Sequence, residues 1–250
     1  MNKSFRRIRI LAKRNLTEIL RDPLSLIFLI ALPLTLEVLF YYIFHNMTSQ
    51  FDMKYLAPGI AVFSQSFTTL FAGLLIALDR SSSFLTRLYV SEARPFEFIF
   101  GYSGALIPVS FAQSVLFFAV GGIIDPSIWS VSMIFAVLLC VLVSLFFIGA
   151  GILLGSVCSE KSIGGVSSVL IAGQSVLSGM WFPTDGLSGG IITLMNVLPF
   201  RNATILVQNV ITGSAAGFSD FGRPLLIVLA YTTAAFAAAI AAFSRKMKNI

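Results

Sequence analysis

The chain has 250 residues, of which 57% are hydrophobic and only 11% are charged, and its formal net charge is +6. Soluble domains carry about 25% charged residues, so this composition excludes an ordinary soluble domain, and the 24 Phe residues exclude a disordered chain. The basic residues cluster at the ends of apolar runs and form no stripe interleaved with aromatic residues, which argues against a nucleic-acid partner. We therefore expect an all-α integral membrane protein that crosses the lipid bilayer several times.

Residues 4–21 precede the first apolar run and have the pattern of an amphipathic helix. Apolar and basic side chains fall on opposite faces at 100° per residue, and Asp22 before Pro23 should end the helix. The pattern predicts a helix in the cytoplasmic membrane interface, with its cations beside anionic headgroups. It could serve only as a topology anchor, or as a lever beside a cytoplasmic partner. The apolar face comprises Phe5, Ile8, Leu11, Ala12, Leu16, Ile19 and Leu20.

Six apolar segments are long enough to cross the bilayer, which takes about 20 residues. They are Leu24–Phe44, Leu56–Leu78, Phe98–Ile124, Ile128–Val157, Ile163–Met180 and Pro224–Phe243. With six crossings, 14 of the 17 Lys and Arg residues lie on one side of the membrane. The positive-inside rule therefore predicts a multi-pass protein of the cell membrane with both termini in the cytoplasm.

The first span contains Glu37, the only acid well inside an apolar segment. Glu37, Tyr41 and His45 recur every four residues and form a polar stripe on one helix face. Pro33 frees the carbonyl of Leu29 and should kink this helix. The stripe could line a groove for substrate or water, or it could supply a hydrogen bond between helices.

Further polar residues lie in the second and fifth spans. Gln65 and Thr69 are one turn apart in the second span, and Gln174 and Ser178 follow small and hydroxylated residues in the fifth. Such residues let helices approach closely and hydrogen-bond to one another. We therefore interpret the fifth span as a helix or subunit contact in preference to a pore lining.

The segment 79–101 is the longest cytoplasmic connection. Ser81, Ser82 and Ser83 could cap a short helix over Phe84–Val90. That helix would carry an apolar ridge flanked by cations, and such a ridge needs a surface to dock on, either the protein's own bundle or a partner. The residues concerned are Arg80, Phe84, Leu85, Arg87 and Leu88.

The stretch 181–222 is too apolar for an ordinary external loop. Its two apolar runs, Leu187–Leu198 and Ala203–Ile211, are too short to cross the bilayer and are bounded by Pro and Gly. We expect two short helices that enter the outer leaflet and return to the outside.

Sequence motifs for catalysis are lacking. Gly149–Ser156 is rich in glycine but has no lysine to hold phosphate, so Gly151 and Gly155 within it are interpreted as a helix-packing motif. The chain has a single histidine, His45, and no metal-ligand spacing. We expect no catalysis, no metal and no cofactor in this chain.

Four motifs follow one another along the sequence. They are the amphipathic helix at 4–21, YLAPG at Tyr55–Gly59, the segment from Asp79-Arg80 through Leu85 and Leu88 to Pro95 and Gly101, and SGMWFP at Ser178–Pro183 with NVLPF at Asn196–Phe200. In this order they resemble the ABC-2 type permeases, the membrane subunits of ABC exporters, and among these the daunorubicin-resistance-like members. One departure is that Asp79-Arg80 is followed by three serines, where many relatives have Arg-Glu-x-Gly after an acid.

The resemblance implies one transmembrane domain over residues 1–250, a second permease subunit that is identical or different, and separate cytoplasmic ATPase subunits that bind ATP and Mg²⁺. The segment 79–101 would then couple to the ATPase through the five residues named above. Spans one, two and five would face the subunit interface. That arrangement would put six polar residues near a substrate path: Glu37, Tyr41, Gln65, Thr69, Gln174 and Ser178.

The expected function is therefore ATP-driven export of an amphipathic compound such as a drug, an antibiotic or a lipid-like molecule. Within the same family the alternative is export of a polysaccharide or lipo-oligosaccharide, which the scarcity of aromatic or polar stripes in the spans disfavours. Outside it, the chain could be a membrane enzyme that uses Glu37 and His45, or a scaffold that anchors a cytoplasmic complex.

Overall fold

The computed structural model describes residues 3–82, 95–184 and 186–248, and no strand occurs in these ranges. Short turns join the helices, among them Ser49–Phe51, Pro126–Ile128 and a π-helical turn at Phe218–Gly222. The helices that we number are α1 (Lys3–Arg21), α2 (Pro23–Phe44), α3 (Met53–Ser81), α4 (Pro95–Ile124), α5 (Val131–Val157), α6 (Glu160–Leu177), α7 (Gly189–Val197), α8 (Pro199–Thr212) and α9 (Arg223–Lys248). The all-α membrane architecture predicted from the sequence is confirmed.

Five segments within the described ranges are long and apolar enough to cross a membrane, namely α2, α3, α4, α5 and the last helix over Phe218–Arg245. The pair α7 and α8, bent by 76°, would make a sixth if it counted as one span. The predicted fifth span, Ile163–Met180, is not among these. Its helix, α6, begins at the charged Glu160 and ends at Leu177, shortly before the positive φ of 72° at Gly179, so it is shorter and more polar than the other spans.

Helix α6 nevertheless lies along the central helix of the bundle. Ile163, near its start, packs on Gly73 of α3, and Met180, just after its end, packs on Gly59. These two contacts are 14 residues apart on α3, a distance of about 21 Å at helical rise. Helix α6 therefore extends over about two-thirds of the thickness of a hydrocarbon core.

Helix α3 is the centre of the bundle. In its most apolar stretch 89% of the residues are buried, against 17% for α2 and for the last span. Its closest partner is α5, where Gly151 and Gly155 lie against the backbone of Thr69 and Gly73. A Cβ atom placed on Gly155 would be 2.6 Å from the carbonyl oxygen of Gly73. The packing role predicted for Gly151 and Gly155 is therefore confirmed.

The predicted amphipathic helix is confirmed as α1, and it ends at Asp22, whose backbone is extended. It packs on the first turns of α4, where Leu11 occupies the space left by Gly101. The expected apolar face is only partly used, because the buried stripe is narrow and includes Ile19. Phe5 and Leu20 stay 58% and 53% exposed. The rest of the bundle covers one stripe of α1, and Phe5 and Leu20 lie outside that stripe.

The bundle has two ends, the α1 end and the opposite end. The α1 end carries α1, the last turn of α3 with Asp79, and the C-terminus of α5 at Cys158. The opposite end carries Ser49–Phe51, the first turn of α3 and Trp181.

Candidate functional site

A buried ion pair at the α1 end joins α1, α3 and α4. Asp79, in the last turn of α3, is only 3% exposed. Arg14 of α1 donates to both of its carboxylate oxygens, with Nη1 2.7 Å from Oδ2, and the hydroxyl of Tyr102 on α4 donates to Oδ2 at 2.6 Å. The hydrogen bond from Arg14 to Asp79 raises the pKa of the guanidinium above its ordinary value. The pair is therefore a fixed charged link between three helices.

A second buried acid holds the start of α1. Glu97, in the first turn of α4, is 3% exposed, accepts a hydrogen bond from Ser4, and pairs with Arg7 at 3.4 Å. Arg7 and Arg14 are two helical turns apart, so they lie on nearly the same face of α1. The roles of Asp79 and Glu97 were missed in the sequence, although both are acids at the edges of apolar runs next to a basic helix, which was a usable signal.

Arg80, one of the predicted coupling residues, holds the end of α5. Its guanidinium donates to the carbonyl oxygen of Ser156 at 2.8 Å and to that of Cys158. The last carbonyls of a helix have no partner within the helix, and a cation there is favourable. Neighbouring residues at the end of α3 thus attach two different helices, Asp79 to α1 and Arg80 to α5. The other predicted coupling residues, Phe84, Leu85, Arg87 and Leu88, lie outside the described residues.

The short helix that the serines were predicted to cap lies outside the described residues, so their capping role stays a prediction. Helix α3 continues past Leu78 to Ser81, and the Ser81 hydroxyl donates back to the carbonyl oxygen of Leu78 at 3.0 Å. The Ser82 hydroxyl likewise donates to the carbonyl oxygen of Asp79, at 3.2 Å. These hydroxyls therefore bond to the last turn of α3.

The helix is irregular just before Pro33, where a kink was predicted, and the carbonyl oxygen of Leu29 bonds to a residue that the sequence did not suggest. The backbone of α2 forms a π-helical turn over Ile27–Ala31, immediately before Pro33. The carbonyl oxygen of Leu29 accepts a hydrogen bond from the side-chain amide of Gln113 on α4. A carbonyl freed by proline needs a partner inside a membrane, and a buried amide supplies it here.

Three of the predicted path residues lie in three different seams between helices, and all are fully buried. Gln65 donates to Ser114 of α4 at 3.0 Å. Thr69 donates to the Phe147 carbonyl of α5 at 3.1 Å, and Gln174 of α6 donates to Thr204 of α8 at 3.0 Å. The structure therefore does not bring them together. Each one links two helices in this arrangement of the chain.

The predicted stripe on α2 divides into two parts. Near the opposite end the ring of Tyr41 stacks on that of His45, with centroids 4.5 Å apart, and His45 Nδ1 is 2.7 Å from the Tyr41 carbonyl oxygen. Glu37 is 0% exposed and lies against Gly121 of α4. Within the described residues no hydrogen bond joins Glu37 to His45. The pair therefore lacks the acid–base contact that an enzyme would use.

Ser178, the remaining predicted path residue, lines a cavity of about 270 Å³ at the opposite end. The cavity is framed by Gln50, which donates to the carbonyl oxygens of Gly179 and, at 2.9 Å, of Phe182. Gln208 of α8 donates to the Tyr55 carbonyl at 2.9 Å and closes the far wall. The complete lining is Ser49, Gln50, Tyr55, Ser178, Gly179, Phe182, Pro183, Thr184, Arg201, Ile205 and Gln208.

The two short helices expected at this end are α7 and α8, and side chains fix the bend between them. Asn202 donates to the carbonyl oxygens of Asn196 at 2.9 Å and Leu198 at 2.7 Å. Arg201 donates to the side chain of Asn196 at 2.8 Å. Helix α8 then packs through Phe200 between α5 and α6. The NVLPF sequence is thus a turn that directs α8 into the bundle.

Comparison with known proteins agrees with this architecture. No curated protein sequence matches the chain. The family model of the ABC-2 type transporter matches residues 6–212, from α1 to the end of α8, and it includes the buried ion pairs and the bent pair of helices. It does not distinguish the daunorubicin-resistance-like members from other members. The chain therefore belongs to the ABC-2 type transporter family and is the transmembrane subunit of an ABC transporter, a component that crosses the membrane and is not itself the ATPase.

Proposed function

We propose that this subunit belongs to an exporter that moves an amphipathic compound, such as a drug, an antibiotic or a lipid-like molecule, outward across the cell membrane. Cytoplasmic ATPase subunits would bind ATP and Mg²⁺, and a second permease subunit, identical or different, would complete the membrane part. Both termini would face the cytoplasm, because the basic residues of α1 and of the C-terminal segment then obey the positive-inside rule.

The observation that carries this proposal is the double attachment at the end of α3. Asp79 holds α1 and α4, while Arg80 holds α5, and the predicted coupling segment follows directly in the sequence. A push on that segment by an ATPase would therefore act on four helices at once. It can open a path only if ATP binds the two arrangements of the transporter with different affinity.

The path itself would open when the polar seams part. In the present arrangement three side chains each donate a hydrogen bond to a neighbouring helix, namely Gln65, Thr69 and Gln174. These side chains would become available to a compound when the helices separate. Together with Glu37 and Tyr41 they would form isolated polar contacts in an otherwise apolar passage. Ser178, on the wall of the cavity at the opposite end, would mark the exit.

An amphipathic compound fits this interior better than a sugar chain does. A polysaccharide track needs a continuous row of hydroxyl-binding or stacking side chains, whereas the buried polar groups described here are separated into different seams. Polysaccharide or lipo-oligosaccharide export is the second candidate. The two are distinguished by whether an amphipathic dye or an oligosaccharide stimulates ATP hydrolysis by the purified complex in nanodiscs.

The central experiment is purification of the tagged chain from its native membranes in mild detergent, followed by an ATPase assay. We expect an ATPase to co-purify with the wild type and to be lost from the double variant Leu85→Asp, Leu88→Asp. Lys161→Asp, an exposed position at the α1 end outside the predicted segment, is the control that should keep the ATPase. A well-folded, ATPase-free oligomer from the wild type would refute the proposal and favour a scaffold or an enzyme.

A further inference from the structure

Glu37 differs from the other buried acids of the described residues. Asp79 and Glu97 are each paired with an arginine of α1. Glu37 is 0% exposed, and neither of its carboxylate oxygens has a hydrogen-bond partner in the part of the chain that the structure describes. A buried polar group without a partner is rare in native proteins and needs a physical explanation.

The surroundings of this carboxyl group are apolar and close-packed. A Cβ atom placed on Gly121 of α4 would be 3.2 Å from Glu37 Oε1, 3.0 Å from the Cβ of Ala57 on α3, and 3.2 Å from the side chain of Ile128. The carboxyl group therefore lies in a closed cell between α2, α3, α4 and the turn Pro126–Ile128. The absence of a side chain at Gly121 provides the room for it.

The ionisable groups on the surrounding elements do not supply a counter-charge. On α3, Lys54 lies one turn before Ala57 and is exposed, as is Asp52 before it. Asp125 follows α4 one turn after Gly121 and accepts from the backbone of Ser127. On α2 itself Tyr41 and His45 contact each other, and on α5 the ionisable group is the buried thiol of Cys140.

An unpaired carboxylate in such a place is costly. Transfer of an isolated ionised group into apolar surroundings costs far more than the few kcal/mol lost with an unmade hydrogen bond, and the group takes up a proton instead. The neutral acid removes this cost and keeps one O–H donor. The burial of Glu37 and the lack of a hydrogen-bonding or cationic partner among the described residues therefore both favour the neutral form of its side chain.

We propose that Glu37 is a proton-binding site: the closed arrangement holds its side chain as a neutral carboxylic acid, and the proton leaves when α2, α3 and α4 part at the opposite end and water enters. By linkage, a high proton concentration on that side then favours the closed arrangement. The proton site itself does not depend on which compound is transported.

Dicyclohexylcarbodiimide tests the protonation state without any transport assay. The O–H of a neutral acid adds across one C=N bond of the reagent, the proton moves to nitrogen, and the product rearranges to a stable N-acylurea without a leaving group. We expect mass spectrometry of the full chain in lipid nanodiscs at pH 7 to show Glu37 modified about tenfold more than Asp79 or Glu97, because each of those two acids is already paired with an arginine of α1. The same extent of labelling at all three acids would overturn the proposal, and so would absence of label at Glu37 combined with a protonated-carboxyl infrared band that Glu37→Gln leaves unchanged.

Two variants distinguish the loss of the acidic proton from misfolding. Glu37→Gln has nearly the shape of the neutral acid, so we expect it to fold, to keep its melting temperature, and to lose both the adduct and one protonated-carboxyl band in the infrared spectrum. Glu37→Asp should keep that band, because it restores an acid in the same cell. If the protonated-carboxyl region of the spectrum is unchanged in a folded Glu37→Gln variant, Glu37 carries no proton in the wild type and the proposal is contradicted.

Discussion

At the scale of single residues, the ion pair between partly exposed Arg14 and buried Asp79 links α1 to the bundle. Asp79 is buried, but the Arg14 side chain is 38% exposed, so loss of the carboxylate leaves an arginine that water can partly solvate. We therefore expect Asp79→Asn to lower the free energy of unfolding by about 1.5–3 kcal/mol, the range for hydrogen bonds to charged groups, and to make α1 accessible to protease. Thermal unfolding and limited proteolysis of the protein in nanodiscs measure the two effects.

The same guanidinium provides the matched control. Arg14 also contacts Glu18 at 3.3 Å, one turn further along α1, but both side chains of this pair are substantially exposed. An exposed pair at this spacing contributes about 0.5 kcal/mol or less, so Glu18→Gln should be nearly neutral. If both substitutions have the same small effect, Asp79 does not anchor α1.

Asp22 at the junction of α1 and α2 gives a prediction that depends on pH. The Ser25 hydroxyl donates to its carboxylate at 2.5 Å, and the backbone N–H groups of Leu24 and Ser25 add further bonds, so the pKa of Asp22 lies below its ordinary value near 4. Because folding lowers this pKa, the ionised Asp22 stabilises the folded state at pH values above its ordinary pKa. This contribution disappears as the pH falls through the folded-state pKa.

The corresponding experiment compares wild type with Asp22→Ala across pH. We expect the variant to unfold at a lower temperature at neutral pH, since loss of a helix cap costs about 1 kcal/mol, and the difference should begin to shrink near pH 4 and be lost below the lower folded-state pKa. Thermal melts at pH 7, 5 and 3 measure this. A difference that is constant over these melts would mean that the Asp22 carboxylate does not hold the junction.

Sequence reasoning was most successful where the cause of a feature is local. An irregular backbone before Pro33 follows from one missing N–H group, and a π-helical turn is present there. The partner of the freed carbonyl, Gln113, is 84 residues away in the chain, and nothing local predicts that distance. For the same reason the sequence showed a basic helix and two acids, but it did not show that Arg14 pairs with Asp79.

At the scale of elements, the contact between α3 and α5 depends on the absence of side chains. A Cβ atom on Gly155 would be 2.6 Å from a carbonyl oxygen of α3 and 3.0 Å from the Cβ of Ile76, so the two backbones must move apart. Overpacking of this kind costs about 1–3 kcal/mol. We expect Gly155→Ala to lower the melting temperature of the purified protein accordingly, as measured by thermal unfolding in nanodiscs.

Helix α6 offers the control for this substitution. A Cβ atom on Gly164 has no atom within 4 Å, and alanine is the better helix former by about 1 kcal/mol. Gly164→Ala should therefore be neutral or stabilising in the same assay. A loss of stability in Gly164→Ala that equals the loss in Gly155→Ala would indicate that α6 is packed against a surface that one chain does not provide.

The limits of helices were harder to predict than their existence. Helix α3 continues to Ser81, whose hydroxyl bonds to a carbonyl oxygen of the preceding turn. A serine can either bond in this way or cap a following helix, so the sequence alone did not determine where α3 ends. Helix α6 was counted as a span because its centre is apolar. Its charged start and the turn at Gly179 shorten the apolar length, and only its contacts along α3 show how far it reaches.

At the scale of the whole molecule, the number of crossings depends on α6 and on the bent pair α7 and α8. Both termini lie on the same side of the membrane either if α6 crosses and the bent pair returns to its own side, or if the bent pair crosses and α6 does not. The position that distinguishes these cases is Ser188, an exposed residue between α6 and α7. We expect the first topology, because α6 follows α3 over about 21 Å.

Single cysteines in a background of Cys140→Ala and Cys158→Ser measure this directly. A membrane-impermeant maleimide applied to intact cells should label Ser188→Cys and Ser214→Cys, while Lys161→Cys should react only after the membrane is opened. If the bent pair crosses instead, Ser188→Cys joins Lys161→Cys in the protected group and Ser214→Cys alone is labelled. In that case Gln174 and Ser178 would lie on the cytoplasmic side, and the passage proposed here would have to end at α8.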